Sequence, residues 1–68
     1  MNLTPDQMAD LWYLRFKGRW VTNDKVQTEK WKQIVSVLMK HDIIRYQLVP
    51  RKSGYVECYQ LKESYANS

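Results

Sequence analysis

The period of the apolar residues changes once along this 68-residue chain, and that change restricts the possible folds. From Trp31 to Met39 the apolar side chains recur at the three- and four-residue spacing of a helix with one buried face. From Ile44 to Leu48 they alternate with polar residues, as in a half-buried strand. A chain of this length forms one domain. The sequence therefore predicts a small α+β domain in which helices precede a C-terminal β-hairpin.

Several helix-start signals occur together near the N-terminus. Thr4 is a good helix cap, and Gln7 follows at the spacing of a capping box. Pro5 occupies the first helical position, where its missing N–H costs nothing. The helix is expected to run to about Lys17, with Gly18 as its terminator. Its main apolar sector consists of Met8, Ala9, Trp12, Tyr13 and Phe16.

Two leucines of the same helix, Leu11 and Leu14, lie outside that sector. Small monomers rarely leave neighbouring leucines in water. The sequence therefore predicts a homodimer formed partly through this helix, with Leu11, Leu14 and Tyr13 at the interface. The alternative is that the C-terminal hairpin or the tail covers both leucines.

A second long helix is expected after a short extended segment. Residues 19–22 favour a short strand, and residues 23–27 are able to form one helical turn. Thr28 is a plausible cap for a helix that runs to about His41. The predicted core stripe of this helix is Trp31, Ile34, Val35, Leu38 and Met39.

The last third of the chain has the pattern of a hairpin. Strands are predicted over 44–48 and 55–61, with turn residues at 50–54 between them. Tyr59 and Leu61 are expected on one face of the returning strand. The single domain is thus predicted over residues 1–62, and residues 63–68 are expected to be a frayed tail.

The residues that usually build catalytic or metal sites are scarce. Cys58 and His41 are each the only residue of their type, so no internal disulfide can form and a zinc ligand set is lacking. The carboxylates are scattered singly, and no glycine-rich phosphate loop is present. The sequence therefore predicts neither an enzyme nor a bound metal or cofactor. Cys58 is expected to be a core or near-core thiol, and His41 to end a helix.

Charge and hydropathy suggest where the chain works. It carries 11 Lys and Arg against 7 Asp and Glu, and this basic excess suits a polyanionic partner. The longest apolar run is far too short to span a membrane, and the N-terminus lacks the basic and apolar regions of a signal peptide. A soluble, cytoplasmic protein without membrane contact is expected.

The order of the predicted elements resembles the winged helix-turn-helix family over residues 4–62. The matching segments are 18–22, the link into the second helix; 35–45, the end of the recognition helix and the first wing strand; and 58–62, the strand that closes the wing. Residues 22–28 are shorter than the family's usual second helix. Asp42 stands where the family often has glycine, and Asp tolerates a left-handed backbone better than most residues. The small size is also typical of phage or plasmid regulators.

The resemblance implies that the helix after Thr28 enters the major groove of DNA. The residues then placed to contact DNA are Lys30, Gln33, Ser36, Val37 and Lys40. Glutamine pairs with adenine edges, lysine with guanine or phosphate, and valine with a thymine methyl. Arg51 and Lys52 at the wing tip would contact phosphates or the minor groove.

Aromatic residues admit a second nucleic-acid interpretation, because aromatic rings stack on RNA bases. The sequence assigns Trp12, Phe16, Trp20 and Trp31 to the core. The exposure of Tyr46, Tyr55 and Tyr59 is left open.

Two functions of different classes are consistent with these patterns. The first is a transcriptional regulator or accessory factor that reads duplex DNA with its third helix and basic wing. The second is a protein-interaction domain that keeps the winged-helix scaffold and binds a partner protein through the apolar first helix. The shortened second helix and the modest charge favour the second function, whereas the basic wing favours the first.

Overall fold

The computed structural model describes residues 3–66 and contains three α-helices and a three-stranded antiparallel sheet in this range. The elements in chain order are α1 (Pro5–Phe16), β1 (Val21–Thr22), a 3₁₀ turn (Asn23–Val26), α2 (Glu29–Lys40), β2 (Ile44–Arg51), β3 (Gly54–Leu61) and α3 (Glu63–Ala66). The predicted α+β class is confirmed, as is the change from helix to hairpin after α2. The strands pair in the order β1-β3-β2.

Helix α1 begins with the predicted capping box. The Thr4 hydroxyl accepts a hydrogen bond from the Gln7 amide at 3.1 Å, and the Gln7 side chain accepts one from the Thr4 amide at 2.9 Å. The helix ends one residue before the predicted position. Lys17 has the positive φ, 56°, and its amide donates to the Tyr13 carbonyl at 2.9 Å, so Gly18 is not the left-handed terminator.

Helix α2 is capped by Thr28, whose hydroxyl accepts from the Trp31 amide at 3.3 Å. Trp31, Ile34 and Leu38 are buried, as predicted. The prediction for Met39 is wrong, because 41% of its surface is exposed. Each residue turns a helix by about 100°, so Met39 lies roughly 80° from Trp31, beyond the edge of a narrow core sector.

The turn after α2 adopts the left-handed conformation at Asp42, with φ 60°. His41 ends the helix, as expected, and its amide donates to the Val37 carbonyl at 3.0 Å. The Ile43 amide returns to the Leu38 carbonyl at 2.9 Å. This tight turn leads directly from α2 into β2.

Strands β2 and β3 form a long hairpin with a short turn. Their register runs from Ile44 opposite Leu61 to Arg51 opposite Gly54. The unpaired turn is therefore only Lys52 and Ser53, shorter than the predicted turn over 50–54. Pro50 lies within β2, which is an edge strand, where the missing proline N–H is tolerated.

The core lies between α1, α2 and one face of the sheet, with Trp12 at its centre. The Trp12 side chain is fully buried, and its ring centroid lies 4.8 Å from Phe16, 6.0 Å from Trp31 and 6.4 Å from Tyr59. Tyr59 and Leu61 are buried, and the Cys58 thiol is free and buried, as predicted.

Trp20 does not belong to this core, contrary to the prediction. Its side chain is 43% exposed, because it precedes the two-residue strand β1 at the edge of the sheet. The next residue, Val21, is buried instead and pairs with Tyr59.

The segment predicted as a frayed tail is partly structured. Residues Glu63–Ala66 form α3, and Tyr65 packs against the core. The Tyr65 amide donates to the Lys62 carbonyl at 2.9 Å. The rest of the predicted tail, residues 67–68, lies outside the described residues.

Candidate nucleic-acid interface

Helix α2 presents a polar face to solvent. Lys30, Gln33, Ser36 and Lys40, four of the predicted contact residues on this helix, are exposed. Val37, the fifth, is half-buried and packs against the core, so its methyl groups are less accessible than predicted. Most of the predicted set thus lies on the surface.

Lys32 belongs to the same exposed face and was missed by the sequence analysis. It lies one turn before Ser36 and two turns before Lys40 and the exposed Met39. Lys30 lies towards the opposite edge, with its Nζ 5.8 Å from the Trp31 ring centroid. The signal that could have identified Lys32 is its four-residue spacing from Ser36.

A groove runs beside α2, on the side where Lys32 lies. Its walls are the 3₁₀ turn and α2, and its volume is about 280 Å³. Its polar lining residues are Asn23, Gln27, Lys32 and Ser36, and Val26, Val35 and Tyr59 also line it. Gln27 is held there because its side-chain amide donates to the Asn23 carbonyl at 2.8 Å. The groove therefore offers polar donors and acceptors next to the exposed face of α2.

The hairpin extends away from the core, so its tip is a projection. Ile44 and Leu61 at its base are buried, whereas Leu48 and Tyr55 further out are exposed, Tyr55 by 73%. Eight-residue strands are roughly 26 Å long, and the molecule measures 38 × 25 × 20 Å. Arg51 and Lys52 are exposed at the far end, as expected for a basic tip.

Two tyrosines, Tyr46 and Tyr59, lie on the same face of the hairpin. The register places Tyr46 opposite Tyr59, with ring centroids 5.7 Å apart. The Tyr46 hydroxyl donates to Glu57 at 2.9 Å, and this hydrogen bond raises the pKa of Tyr46, since the carboxylate favours the protonated phenol. Burial raises the pKa of Tyr59. Both phenols are therefore neutral donors at physiological pH.

The cations of α2 and the hairpin tip are free to meet an anion. Between residues 3 and 66, the one ion pair joins Lys62 to Asp42. Lys32, Lys40, Arg51 and Lys52 therefore have no carboxylate within ion-pair distance in this part of the chain. Unpaired cations such as these are able to contact the phosphates of a nucleic-acid backbone.

The predicted dimer residues are separated by the fold. Leu14 is 69% exposed and Tyr13 is exposed beside it, with the Lys17 ammonium 5.2 Å from the Tyr13 ring. Leu11 is half-buried and packs against the core. Only Tyr13 and Leu14 of this set are therefore available to a partner.

The described residues contain neither a metal-binding cluster nor a membrane-spanning helix. Among residues 3–66, no three His, Cys, Asp or Glu side chains are grouped closely enough to hold an ion. No helix in the same range has the length and apolar character needed to cross a bilayer. The chain matches no protein-family model, no curated protein and no solved structure.

Proposed function

We propose that this chain is a winged-helix-like protein that binds duplex DNA with the exposed face of α2 and the tip of the β2–β3 hairpin. The observation that carries the proposal is the placement of unpaired cations. Lys32 and Lys40 lie on α2, and Arg51 and Lys52 lie at the hairpin tip. Such a protein would act as a transcriptional regulator or an accessory factor.

The order of the elements supports the winged-helix part of the proposal. A short strand, a helical turn, a longer helix and a hairpin follow α1, an order that agrees in part with that of the winged helix-turn-helix family. The departure is the 3₁₀ turn Asn23–Val26, four residues long where the family has a second helix. This turn buries Val26 against the core and still precedes the capped start of α2.

The dimensions of α2 suit a major groove. Its 12 residues span roughly 18 Å, and B-DNA's major groove, about 12 Å wide, admits a helix. Gln33 and Ser36 are able to hydrogen-bond base edges, whereas Lys32 and Lys40 would contact guanine or phosphates. Arg51 and Lys52 would add phosphate or minor-groove contacts.

The test is fluorescence anisotropy with labelled duplexes made from mixed genomic fragments, at low and moderate salt. Lys40→Ala is expected to weaken duplex binding about tenfold, the size of one lost charge-assisted contact. The matched control is Lys62→Ala, which removes the same charge from a lysine already paired with Asp42 and should change affinity far less. Absence of duplex binding by the folded protein at low salt would contradict the proposal.

A second candidate function, binding of a partner protein, is favoured by the exposed pair Tyr13 and Leu14 on α1. Neighbouring exposed apolar side chains mark protein interaction sites. Leu14→Glu separates the two candidates, because it alters this pair and leaves the cations of α2 and the hairpin intact. If DNA binding is the function, one chain of this variant retains the duplex affinity of one wild-type chain, measured at concentrations where both proteins are monomeric.

A further inference from the structure

An open cleft lies where the end of α1 meets β1 and the 3₁₀ turn, away from the residues assigned to duplex binding. Its volume is about 520 Å³, within the range of small-molecule sites. Its lining includes Arg15, Arg19, Trp20, Thr22 and Lys25, and it contains no Asp or Glu side chain. The cleft therefore combines three cations with one large exposed aromatic side chain.

The exposure of Trp20 is what distinguishes this cleft. The other two tryptophans, Trp12 and Trp31, are buried in the core, whereas 43% of Trp20 is exposed. An indole left at the surface of a concave basic site offers a flat apolar surface beside positive charge. A ligand that uses both features needs a planar ring and a negative group.

The cations of the cleft are held in place by the fold. Arg19 Nε donates to the Phe16 carbonyl at 3.3 Å, which leaves its remaining guanidinium donors available. The Arg15 guanidinium lies 5.4 Å from the ring centroids of both Phe16 and Trp31. Both arginines are thus oriented before any ligand binds.

The segment between α1 and β1 is also anchored. The Gln60 side-chain amide donates to the Gly18 carbonyl at 2.9 Å, which ties the segment to β3. The Thr22 hydroxyl donates to the Asp24 carboxylate, which turns this acid towards the protein's own chain. Lys25 has no ion pair among residues 3–66. No cation of the cleft is therefore ion-paired within these residues.

We propose that this cleft binds an unpaired nucleotide of a single-stranded nucleic acid. The base stacks on Trp20, and the flanking phosphates contact Arg19 and Lys25. Stacking on aromatic side chains and a positive lining are the two elements of single-strand recognition. Bases within a duplex are already stacked on one another, so the cleft selects unpaired nucleotides. An acidic peptide would use the cations but would leave Trp20 without a role.

The test uses fluorescein-labelled dT12 and rU12, because single-stranded DNA and RNA share this chemistry. Both are expected to bind the full chain at low salt, and Trp20→Ala is expected to weaken both about tenfold. Tyr55→Ala is the matched control, since it removes an exposed aromatic ring outside the cleft. If Trp20→Ala and Tyr55→Ala weaken the binding of dT12 and rU12 equally, the proposal is overturned.

A second variant, which changes a charge in the cleft, tests the proposal even if Trp20→Ala fails to fold. Lys25 is exposed, so Lys25→Glu should fold normally, and it is expected to weaken dT12 binding at least as much as Trp20→Ala. Retention of full affinity by folded Lys25→Glu would overturn the proposal. A polyglutamate peptide that binds as tightly as dT12 would also overturn it, in favour of an acidic protein ligand.

Two further measurements identify the stacking residue and separate this proposal from duplex binding. Addition of dT12 is expected to quench tryptophan fluorescence in the wild-type protein and not in Trp20→Phe. Quenching that persists in Trp20→Phe would place the base elsewhere. Lys40→Ala is expected to leave dT12 binding intact, and Trp20→Ala to leave duplex binding intact, so each proposal can fail alone.

Discussion

The Lys62 ammonium lies 2.7 Å from an Asp42 carboxylate oxygen, joining the end of β3 to the turn after α2. The backbone reinforces this junction, because the Lys62 amide donates to the Ile43 carbonyl at 3.0 Å. Asp42 therefore has two roles in one position. It adopts the left-handed φ of 60° that lets the chain turn into β2, and it supplies the anion.

Substitutions at Asp42 should separate these roles. Asp42→Asn keeps a residue that tolerates the left-handed region and removes the charge, so a loss of about 0–1 kcal/mol in the free energy of unfolding is expected for an exposed pair. Asp42→Val adds the strain of a β-branched residue at positive φ, about 1–2 kcal/mol more. Urea unfolding at pH 7 measures both. Equal losses for the two variants would show that the ion pair, not the backbone, dominates.

Two tryptophan variants test where the core ends. Trp31→Ala removes a buried ring that packs on Trp12 and Phe16, and about 3–5 kcal/mol of destabilisation is expected, enough to unfold a domain this small. Trp20→Ala removes a side chain that is nearly half exposed, so it should lower the free energy of unfolding clearly less than Trp31→Ala does. Thermal unfolding followed by circular dichroism compares them. A Trp31→Ala protein with unchanged melting would refute the assigned core.

The elements follow from local sequence signals, whereas the limits of the core do not. The capping box at Thr4, the cap at Thr28 and the alternation after Ile44 each specify an element within a few residues, and all three elements are confirmed. The expected half-buried face of the first strand is wrong beyond Ile44, because Tyr46 and Leu48 are exposed. The burial of Met39 and Trp20 depends on how far the neighbouring elements reach. A small domain has a narrow core, so apolar residues at the edge of a stripe remain exposed.

The candidate site likewise follows from the sequence only where local signals specify it. Four polar residues of α2 and the two cations at the hairpin tip follow from helical spacing and turn chemistry, and all are exposed. Lys32 is not predicted because the expected core face of α2 includes Met39, which lies on the same side of the helix and is exposed. The cleft around Trp20 could not be predicted, because it depends on three elements meeting in space.

The homodimer stays a prediction and now depends on fewer residues. Leu11 packs against the core, so self-association through α1 would use Leu14 and Tyr13. Leu14→Glu is expected to convert a dimer to a monomer, because it places a charge in the apolar contact. Sedimentation at tens of micromolar measures the mass against 8.2 kDa for one chain. A wild-type protein that sediments as a monomer would reject the dimer.

Two tyrosines should make stability fall at high pH. Burial raises the pKa of Tyr59, and the hydrogen bond to Glu57 raises that of Tyr46, above the value of about 10 expected in the unfolded chain. Their stabilising contribution is therefore fully present below pH about 10 and is lost as the pH rises through the folded-state pKa values. Lysines titrate in the same range, so the comparison is with Tyr59→Phe, whose stability should fall less between pH 9 and 11 by urea unfolding. Parallel pH profiles would exclude a role for Tyr59.

The salt dependence of duplex binding should distinguish the hairpin tip from the α2 face. A chain that neutralises about 3–4 phosphates has a slope of roughly −3 in log affinity against log salt, doubled for a dimer. The double variant Arg51→Ala/Lys52→Ala is expected to reduce the magnitude of this slope by about 2 per chain. It should also weaken the binding of all duplexes alike, because phosphate contacts carry no direct sequence information. Gln33→Ala should leave the slope unchanged and reduce discrimination at one base pair by about 1–3 kcal/mol if its amide makes a bidentate contact. Anisotropy titrations at four salt concentrations, with matched and single-mismatch duplexes, measure both quantities. A tip double variant with the wild-type slope would remove the hairpin from the interface and leave α2 as the element that contacts DNA.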